Sequence, residues 1–572
     1  MEISLINQLE NLPYRLPSHG DVPNPLYEQL RVRRTDDMFK ELGADAKILI
    51  HPNTLKLLGD YLNLLRRFEY FSSPETFSPE AVVYENLSRE HLVLRLIARR
   101  PLTFYRFDDH YLLRTGEKGN GGFDLIGTKH ERPPLVLKNL ISYDEMALSS
   151  LISVSVPTPF FNNGHRDNYG RPGHESQYPF EGVYAGVVGS RFERERCMEY
   201  AHIVITREQN TKENGYGPEA FGRRAEVLRL WARFYGLMHF PVWEEAQQSA
   251  QLYVTLPGCM FDAGIYKKRM RMSIEPFLLD ADKRAADKSS VTKAYKAYVH
   301  VAALGTGAWA IELTLQANLT LQVYADLLRE HALLNVGTID FSWFGDNCDK
   351  SLVHHPRITI AFSEHEPAEP VRDDELLVAM YDWNGNAYPG NGYWIGNLND
   401  RAPSAAWCSA ISVLQNPNLN PRLRDVGALR VLPVAQASPG WPSRDSRSSL
   451  PGTQAQHSPP GNRGRNSSRS SSSRSSSPGT QAQHSPQGNR GRNSSRPPQS
   501  ATHRTSEPQA APTVSESQAA PTVSESHAAP QANQGRVGLA ALALSGVLAG
   551  GYVAQRVRRA RSRSPKKKLE AH

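Results

Sequence analysis

Apolar runs of strand length alternate with amphipathic helical stretches across roughly the first 437 residues, and this alternation limits the fold more than any other feature of the sequence. The stretch from Asn53 to Phe71, for example, places four leucines on one helical face. Strands interleaved with helices of this length predict an α/β fold with a mixed or largely parallel sheet and helices on both faces. We expect one globular domain over residues 1–437, with a helical N-terminal part (1–110) and a sheet core (111–437).

The spacing of the apolar residues predicts the individual elements. A further run, Lys267 to Met272, mixes cationic and apolar residues and predicts a strand with alternating faces, whose charged side chains could contact a phosphate. The other strands are predicted at Lys47–His51, Ile152–Pro157, Val183–Gly189, Tyr200–Thr206, Tyr298–Leu304, Val336–Phe341 and Ile358–Phe362, and helices at Asn53–Phe71, Pro79–Arg99, Glu219–Tyr235 and Trp309–His331.

From Ser438 onward the chain is rich in Ser, Pro, Gly and Arg and carries 19 basic but only 5 acidic residues. The first 437 residues carry 47 basic and 53 acidic residues, so the net charge of +8 comes from the tail and predicts no specific nucleic-acid partner for the globular part. Residues 451–469 recur almost unchanged as residues 478–496. Such tracts bury too little apolar surface to fold. We predict a disordered linker over residues 438–536 that acts as a spacer, a modification platform or a polyanion-binding arm.

Residues 537–554 contain no charged side chain. As a helix they would span about 27 Å, close to the ~30 Å hydrocarbon core of a bilayer. Eight Lys and Arg residues follow within 555–572 and suit anionic headgroups. We predict a membrane-associated helix and a basic tail, with an Ala-rich helix that folds onto a partner as the alternative.

The cysteine pattern and the N-terminal sequence bear on the compartment. The N-terminus has no apolar signal segment, and the four cysteines form no C-x-x-C pair. We therefore expect a membrane-associated protein whose globular domain lies in a reducing cytosol, with translocation into a host cell as a further alternative.

The turn Gly305-Thr306-Gly307 lies between a predicted strand and a predicted long helix. This order places backbone N–H groups and a helix N-terminus at the carboxyl edge of a sheet, where a phosphate or pyrophosphate is stabilised. The turn matches neither G-x-G-x-x-G nor the Walker A motif. A plain strand-to-helix turn is the alternative.

Three other Gly- and Asn-rich loops adjoin predicted strands or helices. They contain Gly119, Gly121, Gly122 and Asp124 in the first loop, Asn162 and Asn163 in the second, and Gly189 in the third. Such loops can be simple turns. We expect them instead to converge with Gly305–Gly307 on one cleft lined by backbone and amide donors.

One more loop, from Tyr381 to Trp394, is dense in aromatic and amide side chains. It resembles the start of a calcium loop, but it lacks the required Gly and the closing Glu, so no metal is predicted. Asn384, Asn386 and Tyr388 are the residues that we expect to contact a base or ribose. The alternative is a rigid surface loop packed by its own side chains. No cofactor is predicted.

Seven phrases of the sequence resemble an uncharacterised family of Legionella- and Coxiella-like intracellular bacteria and some invertebrates, which is distantly macrodomain-like in the manner of the poly(ADP-ribose) glycohydrolases. The resemblance covers nearly all of residues 20–420. It implies a macrodomain-like core, with Gly305 to Trp309 as the diphosphate loop and Asn162-Asn163 as the ribose-side loop. The phrases are RTGEKGNGGFD (from Arg114), PTPFFNNGHRDNYG (from Pro157), GVVGSRFERERCMEY (from Gly186), KKRMRMSIEPFLLDA (from Lys267), HVAALGTGAWA (from His300), IDFSWF (from Ile339) and YDWNGNAYPGNGYW (from Tyr381).

The resemblance implies binding of ADP-ribose or a related nucleotide, with glycohydrolase activity. A glycohydrolase needs a carboxyl group near the anomeric bond to protonate the leaving group or to orient water. Glu193, Glu199 and Asp382 are the candidate catalytic carboxylates. The triple-Gly and Gln-Glu-Glu signature of the glycohydrolases is absent. The alternatives are a non-enzymatic bacterial effector or scaffold whose globular domain binds a host protein, and an enzyme that acts on a peptide or glycan.

Overall fold

Five neighbouring parallel strands form one side of an eight-stranded sheet in the computed structural model. The structure describes residues 36–71, 84–105, 108–168, 172–307, 309–390 and 407–433. The strands are β1 (Lys47–Ile50), β2 (Thr103–Tyr105), β3 (His110–Leu112), β4 (Lys118–Gly119), β5 (Ile152–Pro159), β6 (Glu181–Val187), β7 (Val204–Ile205), β8 (Val254–Leu256), β9 (Cys259–Phe261), β10 (Lys296–Ala302), β11 (Val336–Ser342), β12 (Thr359–Ser363), β13 (Glu375–Asp382) and β14 (Leu429–Val431).

The helices surround this sheet and join its strands. They are α1 (Asp36–Ala44), α2 (Pro52–Phe71), α3 (Arg89–Ala98), α4 (Tyr143–Ser149), α5 (Tyr200–Ile203), α6 (Arg223–Phe234), α7 (Trp243–Gln248), α8 (Ala263–Lys288), α9 (Leu313–Glu330) and α10 (Ile411–Leu414).

The strand order in the large sheet is β12-β11-β10-β13-β6-β5-β1-β14. Strands β12, β11, β10, β13 and β6 all run parallel to their neighbours within this block. Their carboxyl ends therefore meet at one edge of the sheet, which we call the carboxyl edge. Strand β5 runs antiparallel to β6, and β1 runs antiparallel to β5. The mixed, mostly parallel sheet with its helices confirms the predicted α/β fold.

Helix α8 is the central helix of the packed core. It contacts β1, β5, β6, β10, β11 and β13, and α9 packs beside it. Met270, Ile274 and Phe277 of α8 are fully buried, as are Val299 and Val301 of β10. Burying side chains of this size stabilises the folded state by about 1.5–3 kcal/mol each.

Three elements differ from the sequence prediction. The run Lys267 to Met272 lies within α8 and not on a strand, because Asp262 caps the helix at Ile265 and the apolar residues of the run reach the sheet at helical spacing. Residues 200–203 form helix α5, and only Val204–Ile205 of the predicted strand is extended. Strand β13 was not predicted, because its apolar run continues directly into the polar loop that begins at Tyr381.

Helix α3 is shorter than predicted because Ser88 caps its N-terminus, with its side chain accepting the His91 N–H. All four cysteines are free thiols. In the part of the chain that the structure describes, no helix has both the length and the apolar character needed to cross a membrane. The predicted linker (438–536), apolar segment (537–554) and basic tail (555–572) lie outside that part.

Candidate functional site

Two glycine turns meet at the carboxyl edge, one after β6 and one after β10. A Cβ atom added to Gly189 would lie 2.6 Å from the backbone nitrogen of Gly305. A Cβ atom on Gly305 would lie 2.7 Å from the Ser190 carbonyl oxygen, and Gly305 has a φ of +68°. Larger residues fit neither position without displacing backbone, so glycine allows the two turns to touch directly above the end of β13.

Asp382 ends β13 directly beside these turns. The backbone amide of Gly305 lies close enough to its carboxylate to favour the ionised form. Its Oδ1 atom is fully enclosed and has no hydrogen-bond partner among the described residues. Burial raises the pKa of this carboxyl group to about 7, and the Gly305 amide only partly opposes that rise. A carboxyl group with a pKa near neutrality can donate or accept a proton at physiological pH.

The turn at Gly305–Gly307 does not run directly into a helix. Helix α9 begins at Leu313, and the Glu312 carboxylate already accepts the N–H groups of Thr314 and Leu315. The predicted anion site at this helix N-terminus is therefore occupied by the chain's own carboxylate. The turn itself remains open at Gly307, where an added Cβ would meet no atom within 4 Å. The hydroxyl of Thr306 folds back onto the Ala303 carbonyl oxygen at 2.7 Å.

Glu193 and Trp309 lie together at the rim of this edge. The Phe192 N–H donates to the Trp309 carbonyl oxygen at 3.2 Å, and the Trp309 side chain hydrogen-bonds the Glu193 carboxylate. Although the Glu193 residue as a whole is exposed, desolvation of its carboxyl group by packed neighbours raises its pKa. The Trp309 side chain and the charge of Arg191 act in the opposite direction. Glu193 is thus a second carboxyl group with a raised pKa at the same edge.

Glu199 has a different environment, because it is buried between two guanidinium groups. Its Oε2 lies 3.1 Å from the Arg191 Nε, and its Oε1 lies 2.9 Å from the Arg269 Nε. Burial alone would raise the pKa of Glu199, but the two cations outweigh burial and hold it near 2. Glu199 therefore stays ionised and fully engaged, which suits an anchor better than a proton donor.

Arg191 and Arg269 use the Glu199 anchor to fix the loops around Asp382. The Arg191 Nη1 donates to the Asn386 Oδ1 at 2.6 Å and to the Asn384 carbonyl oxygen at 2.9 Å. The Arg269 Nη2 donates to the carbonyl oxygen of Gly189 at 3.0 Å. Sequence reasoning missed both arginines as site-forming residues. The run Lys267 to Met272 contains Arg269, but its sequence does not indicate that Arg269 is buried.

Up to residue 390, the loop after β13 is held by hydrogen bonds of its own side chains, both within the loop and to β2 and α3, which favours the alternative of a rigid loop. Asn384 donates from Nδ2 to the Phe104 carbonyl oxygen, and its Oδ1 accepts the N–H groups of Asn386 and Ala387. Tyr388 is buried and donates to the Ala98 carbonyl oxygen at 2.7 Å. These groups hold the loop in place, and the buried Tyr388 ring presents no free face for a base.

The loop with Gly119, Gly121, Gly122 and Asp124 flanks the Glu193 side of the edge. Its Gly121 N–H donates to the Asp108 carbonyl oxygen at 3.0 Å. The neighbouring Asp109 carboxylate accepts from Arg194 and from the Tyr143 hydroxyl. This loop therefore reaches the edge through the Asp109–Arg194 ion pair. Asp124 itself is exposed.

Asn162 and Asn163 do not join the other loops. Because β5 is antiparallel to β6, Pro159 pairs with Glu181 at the start of β6 rather than with its end. The six residues of β6 that separate this position from the carboxyl edge span about 20 Å. The expectation that all four loops share one cleft is wrong for this loop. The Asn163 carbonyl oxygen instead accepts the Ala368 N–H at 3.0 Å.

Trp343 is a residue at the carboxyl edge that sequence reasoning did not single out. It follows β11, has a φ of +60° and leaves 49% of its surface exposed. A bulky residue in the left-handed region is uncommon and costs free energy unless its surroundings enforce it. Trp343 lies in the IDFSWF phrase that carries part of the family resemblance, but this phrase does not indicate that the indole is exposed.

One group of side chains among the described residues has the spacing of metal ligands, namely Glu275, Glu330 and His331. Arg271 forms ion pairs with both of these carboxylates. Glu275 is also bonded to His331 at 2.8 Å and lies 3.3 Å from His51. The carboxylate charge is therefore already balanced by the protein, so this cluster does not indicate a metal site.

The fold and this edge define an α/β protein whose parallel strands end in glycine turns and two carboxyl groups of raised pKa. A family model described as ADP-ribosylhydrolase MavL-like matches residues 19–437. ADP-ribosylarginine hydrolase CG2909 of Drosophila melanogaster is 35% identical over 413 residues, which cover 68% of this chain and 79% of the relative. ADP-ribosylarginine hydrolase CG3568 of the same organism is 34% identical over 406 residues, covering 67% and 77%.

The chain therefore belongs to the MavL-like ADP-ribosylhydrolase family. The predicted link to ADP-ribose chemistry is confirmed at the level of this family.

Proposed function

We propose that this protein hydrolyses the bond between ADP-ribose and an arginine side chain of a modified protein, at the carboxyl edge beside Asp382. The names of the two fly relatives support arginine as the acceptor. The observation that carries the proposal is the enclosed Asp382 carboxyl group, whose pKa of about 7 suits proton transfer next to a glycine turn.

In the proposed reaction a water oxygen attacks the anomeric carbon of the ribose, and the carbon–nitrogen bond to the guanidine breaks. The water loses one proton, and the departing guanidine nitrogen gains one. Asp382 is the group that we assign to moving this proton, with Glu193 as the second carboxylate that orients the water or the guanidinium. Ionised Glu199 holds Arg191 and Arg269, and through them the turn at Gly189 and the loop at Asn386.

The open turn at Gly305–Gly307 is the proposed diphosphate loop. Its position after a central parallel strand supports this role, since ligands of such sheets bind outside the carboxyl ends of the strands. The same position supports the macrodomain-like interpretation of the core. We assign the exposed indole of Trp343, at the end of the next strand, to stacking on the adenine.

A hydrolysis assay on a protein that carries ADP-ribose on arginine tests the proposal. We expect the wild-type chain to release ADP-ribose and Asp382→Asn to lose about 100-fold or more in kcat, the usual scale for a proton-transfer group. Asp374→Asn makes the same change at an exposed position before the other end of β13 and should retain activity. Absence of release by the wild-type chain, or equal rates for the two variants, would refute the assignment.

A further inference from the structure

A cavity of about 250 Å³ lies beneath the segment of residues 364–374 that joins β12 to β13. Its floor contains Tyr298 and His300 of β10, Thr338 of β11 and Glu375 of β13. The Glu375 end is about 23 Å from Asp382 along β13, and His300 is level with Ala379, about 10 Å before Asp382. Because side chains alternate along a strand and Glu375 faces the cavity, Asp382, seven positions further on, points to the opposite face of the sheet. The cavity is therefore separate from the site described above.

His300 brings an unused hydrogen-bond acceptor to this cavity. The residue is 4% exposed, and its Nε2 lies 3.1 Å from the His365 carbonyl oxygen. Because a carbonyl oxygen can only accept, Nε2 carries the proton and Nδ1 carries the lone pair. Burial lowers the pKa of His300, so the ring is neutral at physiological pH. Nδ1 has no partner among the described residues.

A buried carboxylate lies beside His300 on the same face of the sheet. Asp340 is completely buried, and its Oδ2 accepts from the Tyr298 hydroxyl at 2.7 Å and from the Ser363 hydroxyl at 2.7 Å. Its Oδ1 has no partner in the part of the chain that the structure describes. The His365 Nδ1 lies 3.0 Å from the same Oδ2 and 3.3 Å from the Tyr298 hydroxyl oxygen, so the acceptors without a donor are Asp340 Oδ1 and His300 Nδ1. The polar groups of this region thus offer spare acceptors.

The charged residues that line the cavity also favour a cationic ligand. Three carboxylates line it, those of Glu366, Glu369 and Glu375. The one arginine in the lining, Arg372, is already paired with Glu375 at 3.0 Å and with Asp374 at 3.3 Å. The unpartnered acceptors on His300 and Asp340, together with three carboxylates and one arginine in the lining, favour a ligand that is cationic and rich in donors. Leu377, Val371 and Pro370 supply apolar surface for a short aliphatic stem.

We propose that this cavity binds a small organic cation, an alkylguanidinium or alkylamine, whose N–H groups donate to His300 Nδ1 and to the lining carboxylates. The volume is enough for about eight liquid waters, which suits a ligand of this size. Satisfying a buried acceptor recovers free energy that an unpaired one forfeits. The site is independent of the proposed hydrolysis.

Isothermal titration of the full-length chain with agmatine tests this second site. We expect saturable binding in the presence of saturating ADP-ribose and in Asp382→Asn, because both conditions leave the cavity intact. Glu369→Gln, which removes a lining charge, should weaken binding about fivefold or more. Glu364→Gln changes an exposed carboxylate of the same segment outside the lining and should bind like the wild type.

The outcomes separate this site from the proposed active site. Agmatine binding that ADP-ribose or Asp382→Asn abolishes would place the ligand at the carboxyl edge and overturn the proposal. Equal affinity in Glu369→Gln and Glu364→Gln, or no saturable heat up to about 10 mM agmatine, a concentration at which only very weak binding escapes detection, would also overturn it. His300→Gln should likewise weaken agmatine binding, with an unchanged ADP-ribose thermal shift as proof that the variant is folded.

Discussion

The backbone amide of Gly305, in the turn after β10, lies beside the carboxylate of Asp382 at the end of β13 and lowers the pKa of that carboxyl group. This proximity couples the proposed diphosphate loop to the proposed proton carrier. Any ligand that displaces the turn at Gly305 will therefore also change the environment of the carboxyl group.

The free energy of unfolding should depend on pH through the titration of Asp382. Its folded pKa of about 7 lies above the value of about 4 for an exposed aspartate. Between these values the folded state binds more protons than the unfolded state, so this group makes the free energy of unfolding fall as the pH rises towards 7. Asp382→Asn lacks this titration. Urea unfolding should show the variant gaining stability relative to the wild type between about pH 4 and pH 7, and a constant difference would contradict the raised pKa.

Replacement of Glu199 tests whether this residue is an anchor. Glu199→Gln leaves Arg191 and Arg269 buried without their counter-charge, which we expect to cost about 3–5 kcal/mol of unfolding free energy. The folded pKa near 2 means that this stabilisation is present at neutral pH and is lost as the pH falls from about 4.5 towards 2. Glu208→Gln, at an exposed position, is the control in the same denaturation series. A folded, fully stable Glu199→Gln that has lost activity would instead indicate a catalytic role.

The two ends of the glycine turn should respond differently to alanine. Gly305→Ala places a methyl group 2.7 Å from the Ser190 carbonyl oxygen at a positive φ, so we expect a loss of about 1–3 kcal/mol in stability together with weaker ADP-ribose binding. Gly307→Ala meets no atom within 4 Å and should keep wild-type stability. Thermal melts with and without ADP-ribose measure both effects. Equal melting temperatures for the two variants would show that the close contact of the turns is unimportant.

Arg100 presents an opposite case, a buried cation that we expect to lower the stability of the folded state. Its guanidinium lies 4.1 Å from the Trp383 ring centroid, and neither Nη atom has a hydrogen-bond partner among the described residues. Burial lowers the pKa of Arg100 to about 9, which means that the folded protein disfavours its charge. Arg100→Met should raise the unfolding free energy by about 1 kcal/mol or more at neutral pH. A lower melting temperature would show that the stacking on Trp383 outweighs the desolvation.

The apolar segment of residues 537–554 stays a prediction with a direct test. The full-length chain should float with vesicles that contain anionic lipid, and a chain that ends at residue 536 should stay in the soluble fraction. Flotation that survives this truncation would assign membrane binding to another part of the protein.

The sequence predicts most strands of the large sheet, because each of these strands is an apolar run that the local sequence pattern alone reveals. Val336–Phe341, for example, lies within β11. The carboxyl edge was only partly predictable. Gly189, Gly305 and Asp382 meet there, but the position of Asn162 and Asn163 depends on the antiparallel direction of β5, and strand direction follows from long-range pairing that no local pattern contains.

The burial of charged residues was the least predictable property. Glu193 and Glu199 are six positions apart and look alike in the sequence, yet one remains at the rim and the other lies between two arginines. The partner Arg269 is 70 positions further along the chain, on a helix that was predicted as a strand.

The capping of α9 by its own Glu312 has a consequence for ligand binding at this edge. A helix whose first amides are satisfied internally is complete before any ligand arrives, so binding does not have to supply the energy for building it. When a ligand leaves, no helical turn is left frayed, and α9 is the same before and after the encounter.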